Sequence, residues 1–260
     1  MLIFDIGGNI GNFSLKKLQQ NKNDFCVIVE PLHKHILIMK HTLQKYKERI
    51  KIYESAVSNN NRSIDYYECS NTNGKSGAES CSTCSLNHIQ HSCFGGGEQG
   101  NFMMKDGKTF SEHYYFKEPI QVTTITLDKL VDIHGNPDLI KIDVEGYENN
   151  VLKSLTKKSA TKITFEWHEY NIDTIIDSIR YLHSIGYRHF STEMWYEGKF
   201  EHNNEIEDYK SCDDFIAWFE SIIRQSISMT GNLDKKTFKD PWNKNKKTPY
   251  INLWGMIWVK

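Results

Sequence analysis

The sequence lacks any apolar run that approaches the roughly 20 residues a membrane helix requires. It also lacks the basic start and the small-residue cleavage site of a signal peptide, because it opens with MLIFDIGG. Six cysteines in 260 residues are too few for a disulfide scaffold, so we expect mostly unbridged thiols. A net charge of -1 excludes a global attraction to nucleic acid or to an anionic membrane. These absences favour an intracellular, cytoplasmic globular protein.

The composition is ordinary for a soluble fold, with 38% hydrophobic and 25% charged residues. The length suits one large domain better than two complete ones. We expect a single domain over residues 1–260, with an insertion over residues 59–116 that is rich in Cys, Gly and Ser. Apolar periodicity fades within this insertion, which predicts loop and a short strand before Cys69.

Short apolar runs alternate with amphipathic stretches along the rest of the chain. The predicted strands are Met1–Asp5, Phe25–Glu30, Ile50–Tyr53, Gln121–Ile125, Asp138–Val144, Lys162–Trp167, Tyr187–Thr192 and Asn252–Val259. The predicted helices are Asn12–Gln20, His33–Tyr46, Leu127–Asp132, Tyr147–Leu155, Ile172–Ile185 and Asp213–Ile227. This alternation predicts an α/β fold with a mostly parallel sheet, helices on both faces and an antiparallel edge strand formed by the last elements.

A glycine loop, DIGGNIG, joins the first strand to the first helix. Gly7, Gly8 and Gly11 let the backbone approach a ligand at the helix N-terminus, and Asn9 tolerates turn conformations. Such a loop alone often serves only the turn. Asp5 at its mouth suits a ligand that carries an ammonium and a sulfonium better than a pyrophosphate. The loop therefore favours S-adenosylmethionine over a nicotinamide cofactor.

Glu30 closes the second strand about twenty residues after the loop. An acid at this place accepts hydrogen bonds from both hydroxyls of a ribose and repels a 2′-phosphate. The alternative is a solvated acid at a strand end.

Four segments together resemble the FkbM family of S-adenosylmethionine-dependent methyltransferases. They are DIGGNIGNFSL, VIVEPL, ESAVS and TLDKLVDIHGNPDLIKIDVEGYENNVLKSL, and the likeness covers most of residues 1–58 and 121–168. LIKIDVEGYE is the most specific part. The resemblance implies a class I methyltransferase fold with a Rossmann-like seven-stranded sheet. It also implies O-methylation of a hydroxyl on a small molecule, sugar or lipid.

The resemblance also implies residue roles. Asp5, Gly7, Asn9 and Gly11 would line the methionine end of the cofactor, and Glu30 would hold the ribose. Ser55 and Ala56 would lie beside the adenine, and Asp143 would stand next to the methyl group. The chain begins at the first strand, without the helix that precedes it in many relatives, and the insertion has no counterpart in the family pattern.

An alcohol needs a base before it attacks the methyl carbon, and the carboxyl ends of the fourth and fifth strands are the expected place. Asp143, Glu145, Glu166 and His168 fall there. His168 is our candidate base, because an imidazole accepts a proton near neutral pH. Two alternatives remain open. In the first, the acids have a structural role and the histidine is only a loop residue. In the second, Asp143 and Glu166 hold a hard divalent cation such as Mg²⁺, which lowers the pKa of the alcohol.

The insertion contains Cys81-x-x-Cys84 followed by His88, His91 and Cys93. Cys81, Cys84, His88 and Cys93 have the residue types and short spacing of a tetrahedral zinc site, to which Cys69 offers a further thiol. A zinc-stapled lid over the acceptor site is one interpretation. Unbridged thiols in a surface loop are the other.

The sequence allows three further interpretations. Lysines around Phe238, Trp242 and Tyr250 resemble a nucleic-acid surface, but a solvated linker has the same composition, and no NPPY-type motif for methylating base amino groups is present. RNA methylation is thus less favoured, as is a nicotinamide-dependent oxidoreductase. The main alternative is a methyltransferase-fold binding protein with little or no activity that uses the insertion as its interaction surface.

Overall fold

The fold comes from a computed structural model that describes residues 1–60, 62–72, 78–92, 108, 110–194, 209–231 and 254–260. The lysine-rich segment from Lys235 to Tyr250 and Cys93 lie outside the described residues. Within these ranges, no helix is both long enough and apolar enough to cross a membrane.

Thirteen strands and seven α-helices are described, joined by short 3-10 turns. In chain order the strands are β1 (Leu2–Ile6), β2 (Phe25–Glu30), β3 (Ile50–Glu54), β4 (Ala56–Val57), β5 (Ile64–Tyr66), β6 (Cys69–Asn71), β7 (Tyr114–Phe116), β8 (Ile120–Val122), β9 (Thr124–Ile125), β10 (Leu139–Ile142), β11 (Lys162–His168), β12 (Phe190–Met194) and β13 (Trp254–Val259). The helices are α1 (Asn12–Gln20), α2 (His33–Thr42), α3 (Leu86–His91), α4 (Leu127–His134), α5 (Glu148–Leu152), α6 (Ile172–Ser184) and α7 (Cys212–Gly231).

Seven strands form the central sheet in the order β12-β13-β11-β10-β1-β2-β3. Strands β1, β2, β3, β10 and β11 pair in parallel, and β13 runs antiparallel to both β11 and β12. The predicted mostly parallel seven-stranded sheet is confirmed. Its antiparallel strand, β13, lies between β11 and β12, so it is not the edge strand that the sequence predicted. In the register of the centre, Ile6 lies between Val29 and Ile142, so the carboxyl ends of three strands meet at one edge.

The continuous apolar runs of the sequence are strands buried on both faces. Phe4, Val27 and Ile140 pack in one core cluster, whereas their chain neighbours Ile3 and Ile28 pack in a second. Successive side chains of a strand point to opposite faces, so each cluster fills one side of the sheet beneath its helices. This burial holds the strand ends of the central sheet rigidly in place.

The insertion is more ordered than its sequence predicts. Strand β5 pairs with β8 and β6 pairs with β7, both antiparallel, and Ser85 caps α3 by accepting a hydrogen bond from the His88 backbone N–H. The predicted short strand before Cys69 is confirmed as β5, but the expectation of loop is wrong for the other described elements of the segment. These strands have three residues each, which is too short to produce a readable period. The predicted strand Gln121–Ile125 is likewise divided, because β8 pairs with β5 and β9 pairs with β4.

Candidate active site

The glycine loop turns back directly over the ends of β2 and β10. The backbone N–H groups of Gly7 and Gly8 donate to the Val29 carbonyl at 3.0 and 3.1 Å. Gly7 has a φ of 75°, and a Cβ there would lie 1.8 Å from the Asp143 carbonyl oxygen. Asn9 adopts a left-handed φ of 46°, which asparagine tolerates better than most residues. Position 7 therefore has no room for a side chain, because the ends of β1 and β10 contact each other there.

We expect Gly7→Ala to destabilise the protein more than Gly135→Ala. Both glycines have positive φ, 75° and 88°, and each alanine incurs a backbone strain of about 1–3 kcal/mol. Only the Gly7 substitution also forces Asp143 to move, because no atom lies within 4 Å of a Cβ at Gly135. Urea unfolding of the two variants measures the difference, and equal losses of stability would contradict the proposed steric contact.

The loop forms one wall of a crevice at the carboxyl edge of the sheet, with about 1040 Å³ of space that is partly open to solvent. Of the residues predicted for the cofactor, seven line it: Gly7, Gly8, Asn9, Glu30, Ser55, Ala56 and Asp143. Glu145 also lines it, as do Tyr66, Ser82 and Cys84 of the insertion. Asp5 and Gly11 do not. The insertion thus supplies part of the crevice wall.

Glu30 is buried and holds the first and second strand-end loops together. Its Oε2 accepts the Asn9 backbone N–H at 2.9 Å, and its Oε1 accepts that of Leu32 at 3.0 Å. His35 Nδ1 lies 3.2 Å from Oε1. A carboxylate offers about four acceptor positions, so these three neighbours leave capacity for a ligand.

Asp5 lies beneath the loop, in a buried charge network. Its Oδ2 accepts the Ser14 hydroxyl at 2.7 Å, and its Oδ1 lies 3.4 Å from Lys141 Nζ. Lys141 also lies 3.2 Å from Asp143 Oδ2 and donates to the Gly7 carbonyl at 3.1 Å. Burial raises the pKa of Asp5. Burial lowers the pKa of Lys141, but the carboxylates of Asp143 and Asp5 outweigh it and raise that pKa. Sequence reasoning missed Lys141, although a lysine inside the apolar run DLIKIDV is a signal of a paired, buried charge.

The four residues predicted for catalysis meet beside the crevice. His168 Nε2 lies 3.1 Å from Glu166 Oε2 and 3.9 Å from Glu145 Oε2. One carboxylate oxygen each of Asp143, Glu145 and Glu166 lie within 4.8 Å of one another. Burial raises the pKa of Glu166. Burial lowers the pKa of His168, but the nearby carboxylates, above all Glu166, reverse this and raise it.

Glu148 is a further buried acid that sequence reasoning missed. Its Oε1 accepts the backbone N–H groups of Val144 and Gly146 at 3.0 and 3.2 Å, which fixes the turn after β10. Burial, followed by repulsion from Glu166, raises the pKa of Glu148 from 4.5 to about 7.

We expect the free energy of unfolding of Glu148→Gln, relative to that of the wild type, to be higher at pH 8 than at pH 5 by about 2 kcal/mol. The folded-state pKa of Glu148 lies above the unfolded value, so its protonated carboxyl stabilises the fold fully below about pH 4.5 and loses this effect as pH rises through about 7. Glutamine keeps an acceptor oxygen and never ionises. Urea unfolding at both pH values measures the change. Glu118→Gln is the control, because this exposed side chain stays in water, and an equal effect of both variants across pH would contradict the prediction.

The insertion reaches the same cluster through Thr83 and His88. Thr83 donates its hydroxyl to the Glu145 carbonyl at 2.7 Å. His88 is buried, its Nδ1 lies 2.5 Å from the Tyr170 hydroxyl, and its Nε2 lies 3.7 Å from Glu145 Oε2. Burial lowers the pKa of His88 well below the usual value. No sequence signal connects His88 with Glu145, because they are distant in the chain and one lies in a segment without periodicity.

The predicted zinc set is not brought together in the described part of the chain. Cys81 packs with Cys69 in a small apolar cluster, Cys84 lines the crevice and His88 faces Glu145. Neither of the two groups of metal-ligating side chains that the described residues form contains a cysteine. None of the five described cysteines forms a disulfide. The spacing Cys81-x-x-Cys84 does not bring the two thiols to one site, because Cys81 packs against Cys69 whereas Cys84 lines the crevice.

Comparison with known proteins identifies the family of the domain that contains this site. A family model described as the methyltransferase FkbM domain matches residues 5–189. A solved methyltransferase FkbM from Methylobacillus flagellatus KT is 15% identical with a TM-score of 0.43, and the match covers 74% of this chain and 39% of that one. A precorrin-6y C5,15-methyltransferase from Geobacter metallireducens GS-15 is 9% identical, with a TM-score of 0.41 and coverage of 100% and 78%. The plantazolicin methyltransferase BpumL, solved with SAH, is 8% identical, with a TM-score of 0.35 and coverage of 100% and 76%. No curated protein matches the sequence.

Proposed function

The chain belongs to the family of FkbM methyltransferase domains, and from this premise we propose that it transfers the methyl group of S-adenosylmethionine to a hydroxyl oxygen of a small molecule, sugar or lipid. Its mostly parallel seven-stranded sheet is the class I methyltransferase fold. One observation carries the proposal. A buried acid at the end of β2 faces a crevice that the glycine loop leaves open, and a second group of acids with a histidine lies at the ends of the next strands.

The crevice supplies the contacts that the cofactor needs. Glu30 would accept hydrogen bonds from the ribose hydroxyls, and its contacts with Asn9 and Leu32 already fix the carboxylate in place. Ser55 and Ala56, which line the crevice, would lie beside the adenine, and Gly7 to Asn9 would lie along the methionine end. Asp5 acts indirectly, since it holds Lys141 beneath the loop.

Methyl transfer is an in-line displacement, so the acceptor oxygen must sit about 3 Å from the methyl carbon, opposite the departing sulfur. The oxygen forms a bond to the methyl carbon while the carbon–sulfur bond breaks, and the hydroxyl proton must leave the oxygen. We assign this proton to His168, because Glu166 beside it stabilises the imidazolium. Asp143 both lines the crevice and belongs to the same carboxylate group as Glu166, so it would lie close to the methyl group.

A thermal shift experiment tests the cofactor assignment. S-adenosylmethionine and S-adenosylhomocysteine at about 100 times their Kd should stabilise the protein by about 2.7 kcal/mol, a rise in Tm of roughly 5 °C or more. NAD should produce no shift. A shift with NAD alone would support an oxidoreductase, and no shift with any of the three would support a binding protein that has lost the cofactor. Mass spectrometry of the purified protein for retained S-adenosylhomocysteine checks the same point.

Methyl acceptors are tested once cofactor binding is established. The protein is incubated with S-adenosylmethionine and sets of hydroxylated sugars, lipids and phenols, and S-adenosylhomocysteine and methylated products are measured by mass spectrometry. A product methylated on nitrogen or carbon would overturn the assignment of an oxygen acceptor.

A further inference from the structure

His88 is a buried histidine that the fold leaves with an unsatisfied nitrogen. Its side chain is 1% exposed, and Nε2 has no hydrogen-bond partner among the described residues. That nitrogen faces Glu145 Oε2 at 3.7 Å, which is beyond a hydrogen bond. A buried imidazole nitrogen without a partner is unfavourable, so this position calls for a ligand that the protein itself does not supply.

A second imidazole, that of His168 at the end of β11, lies near the same carboxylate. His168 Nε2 lies 3.9 Å from Glu145 Oε2, and the ligating atoms of His88, Glu145 and His168 all lie within 4.8 Å of one another. The exposed fractions of the Glu145 and His168 side chains are 16% and 15%. Two imidazoles and a carboxylate therefore lie close together in a largely buried position.

We propose that His88, Glu145 and His168 form a binding site for a divalent transition-metal ion of the Zn²⁺ type. Nitrogen and oxygen atoms about 2.1 Å from a tetrahedral ion lie roughly 3.4 Å apart. The distances from Glu145 Oε2 to the two imidazole nitrogens, 3.7 and 3.9 Å, are a few tenths of an ångström longer than this. Two imidazoles favour such an ion over Mg²⁺, which prefers oxygen ligands. Three protein ligands leave at least one coordination position open, as in catalytic rather than structural metal sites.

The surroundings hold each ligand in the required orientation. The Tyr170 hydroxyl contacts His88 Nδ1 at 2.5 Å, which leaves Nε2 to the ion in the manner of metal-binding histidines. Glu145 has a φ of 55°, a conformation that a non-glycine residue adopts at a cost, and Thr83 bonds to its carbonyl at 2.7 Å. Gly146 has no Cβ where one would lie 3.0 Å from His88 Cβ. The insertion is thus fitted closely to the turn after β10.

The metal site rests on the proposed function for its purpose, but its binding can be tested without it. Glu145 lines the crevice, so an ion held by these residues would lie beside it and would lower the pKa of a hydroxyl that binds to the ion. His168 would then be a ligand instead of the base proposed above, and Glu166, which lies 3.1 Å from His168 Nε2, would take the hydroxyl proton in its place. The insertion would be a part of the active site, since it supplies a ligand.

Metal binding to the full chain is the test. Protein treated with a chelator is titrated with Zn²⁺ alone and with Co²⁺ alone, and bound metal is counted by mass spectrometry. We expect one ion per chain, a higher Tm, and visible cobalt bands typical of nitrogen and oxygen ligands without a near-ultraviolet thiolate charge-transfer band. Absence of stoichiometric binding, or a thiolate band, would overturn the proposal, the latter in favour of a cysteine site.

Single substitutions test whether the ion binds at His88, Glu145 and His168. His88→Ala and His168→Ala should each weaken Zn²⁺ binding about 100-fold or more. His91→Ala, an exposed histidine on the same helix, and the double variant Cys81→Ser with Cys84→Ser should leave it unchanged. Tyr170→Phe keeps all three ligands and should weaken binding about tenfold, which provides a test if His88→Ala does not fold. Wild-type affinity in all three of His88→Ala, His168→Ala and Tyr170→Phe would overturn the site.

Failure of this proposal and failure of the proposed function have different signatures. If metal-free protein binds S-adenosylhomocysteine but no Zn²⁺, the metal site is wrong and the methyltransferase assignment stands. If Zn²⁺ binds at these residues while neither S-adenosylmethionine nor S-adenosylhomocysteine binds, the metal site stands and the methyltransferase assignment is wrong.

Discussion

Glu30→Ala is expected to weaken binding of S-adenosylhomocysteine about 100-fold or more, equivalent to about 2.7 kcal/mol. The substitution removes charge-assisted hydrogen bonds to two ribose hydroxyls, each of which stabilises a complex more than a neutral pair does. It also removes the acceptor of the Asn9 and Leu32 backbone N–H groups, so the walls of the crevice lose a common anchor. Isothermal titration calorimetry measures the affinity directly and requires no acceptor.

Glu54→Ala is a matched control for this variant. Glu54 pairs with Glu30 in the register of β2 and β3, so it ends the neighbouring strand, but it is 47% exposed and does not line the crevice. We expect its affinity to equal that of the wild type. A loss of tenfold or less in Glu30→Ala, or an equal loss in both variants, would count against a ribose at Glu30. Circular dichroism of Glu30→Ala separates lost contacts from lost folding.

The central sheet was predictable because its strands are buried on both faces. In β1, β2 and β10 almost every residue is buried, so the sequence has continuous apolar runs, and the polar residues that follow them must lie at the sheet edge. Glu30 and Asp143 could therefore be placed on one edge without a structure. The glycine loop was predictable for the same reason, since Gly7 follows a buried strand directly.

The insertion was not predictable because its order comes from pairing between distant short segments. Cys69 lies opposite Phe116 across β6 and β7, which are too short and too polar to show a period. The same limit applies to His88. Its residue type and the nearby cysteines indicated metal binding, but only the folded chain places it against Glu145 and Tyr170 instead of against Cys81. Sequence spacing identifies ligand types, whereas tertiary contacts decide which of them meet.

The pairing of buried charges beneath the site also could not be predicted from the sequence. Lys141 and Glu148 could have been singled out as charged residues within or next to apolar runs, but their partners could not. Lys141 links Asp5 with Asp143, and this removes Asp5 from the crevice wall to which sequence reasoning assigned it. Lys141 thus offsets the charge of Asp5 beneath the loop and part of the charge of Asp143 above it, and the carboxylates of Glu30, Asp143 and Glu145 are among those that line the crevice.

His168→Ala is expected to lower kcat about 100-fold or more for any hydroxylated acceptor that the wild type methylates, because a positioned base contributes about 10²–10⁴. S-adenosylhomocysteine affinity should stay within a few fold of the wild type, since His168 does not line the cofactor crevice. The loss should appear whether the imidazole takes the proton itself or holds an ion that lowers the hydroxyl pKa. The assay follows S-adenosylhomocysteine formation by mass spectrometry at saturating cofactor.

Two further variants make this result interpretable. His183→Ala removes an exposed histidine of α6 and should retain full turnover. His168→Gln keeps a hydrogen-bond donor for Glu166, so it preserves the fold around this buried acid while it provides no base and a poor metal ligand. We expect the glutamine variant to be as slow as the alanine variant but more stable. Turnover near the wild-type level in His168→Gln would exclude the imidazole from the chemistry and leave the carboxylates of Asp143, Glu145 and Glu166 as candidates to take the proton.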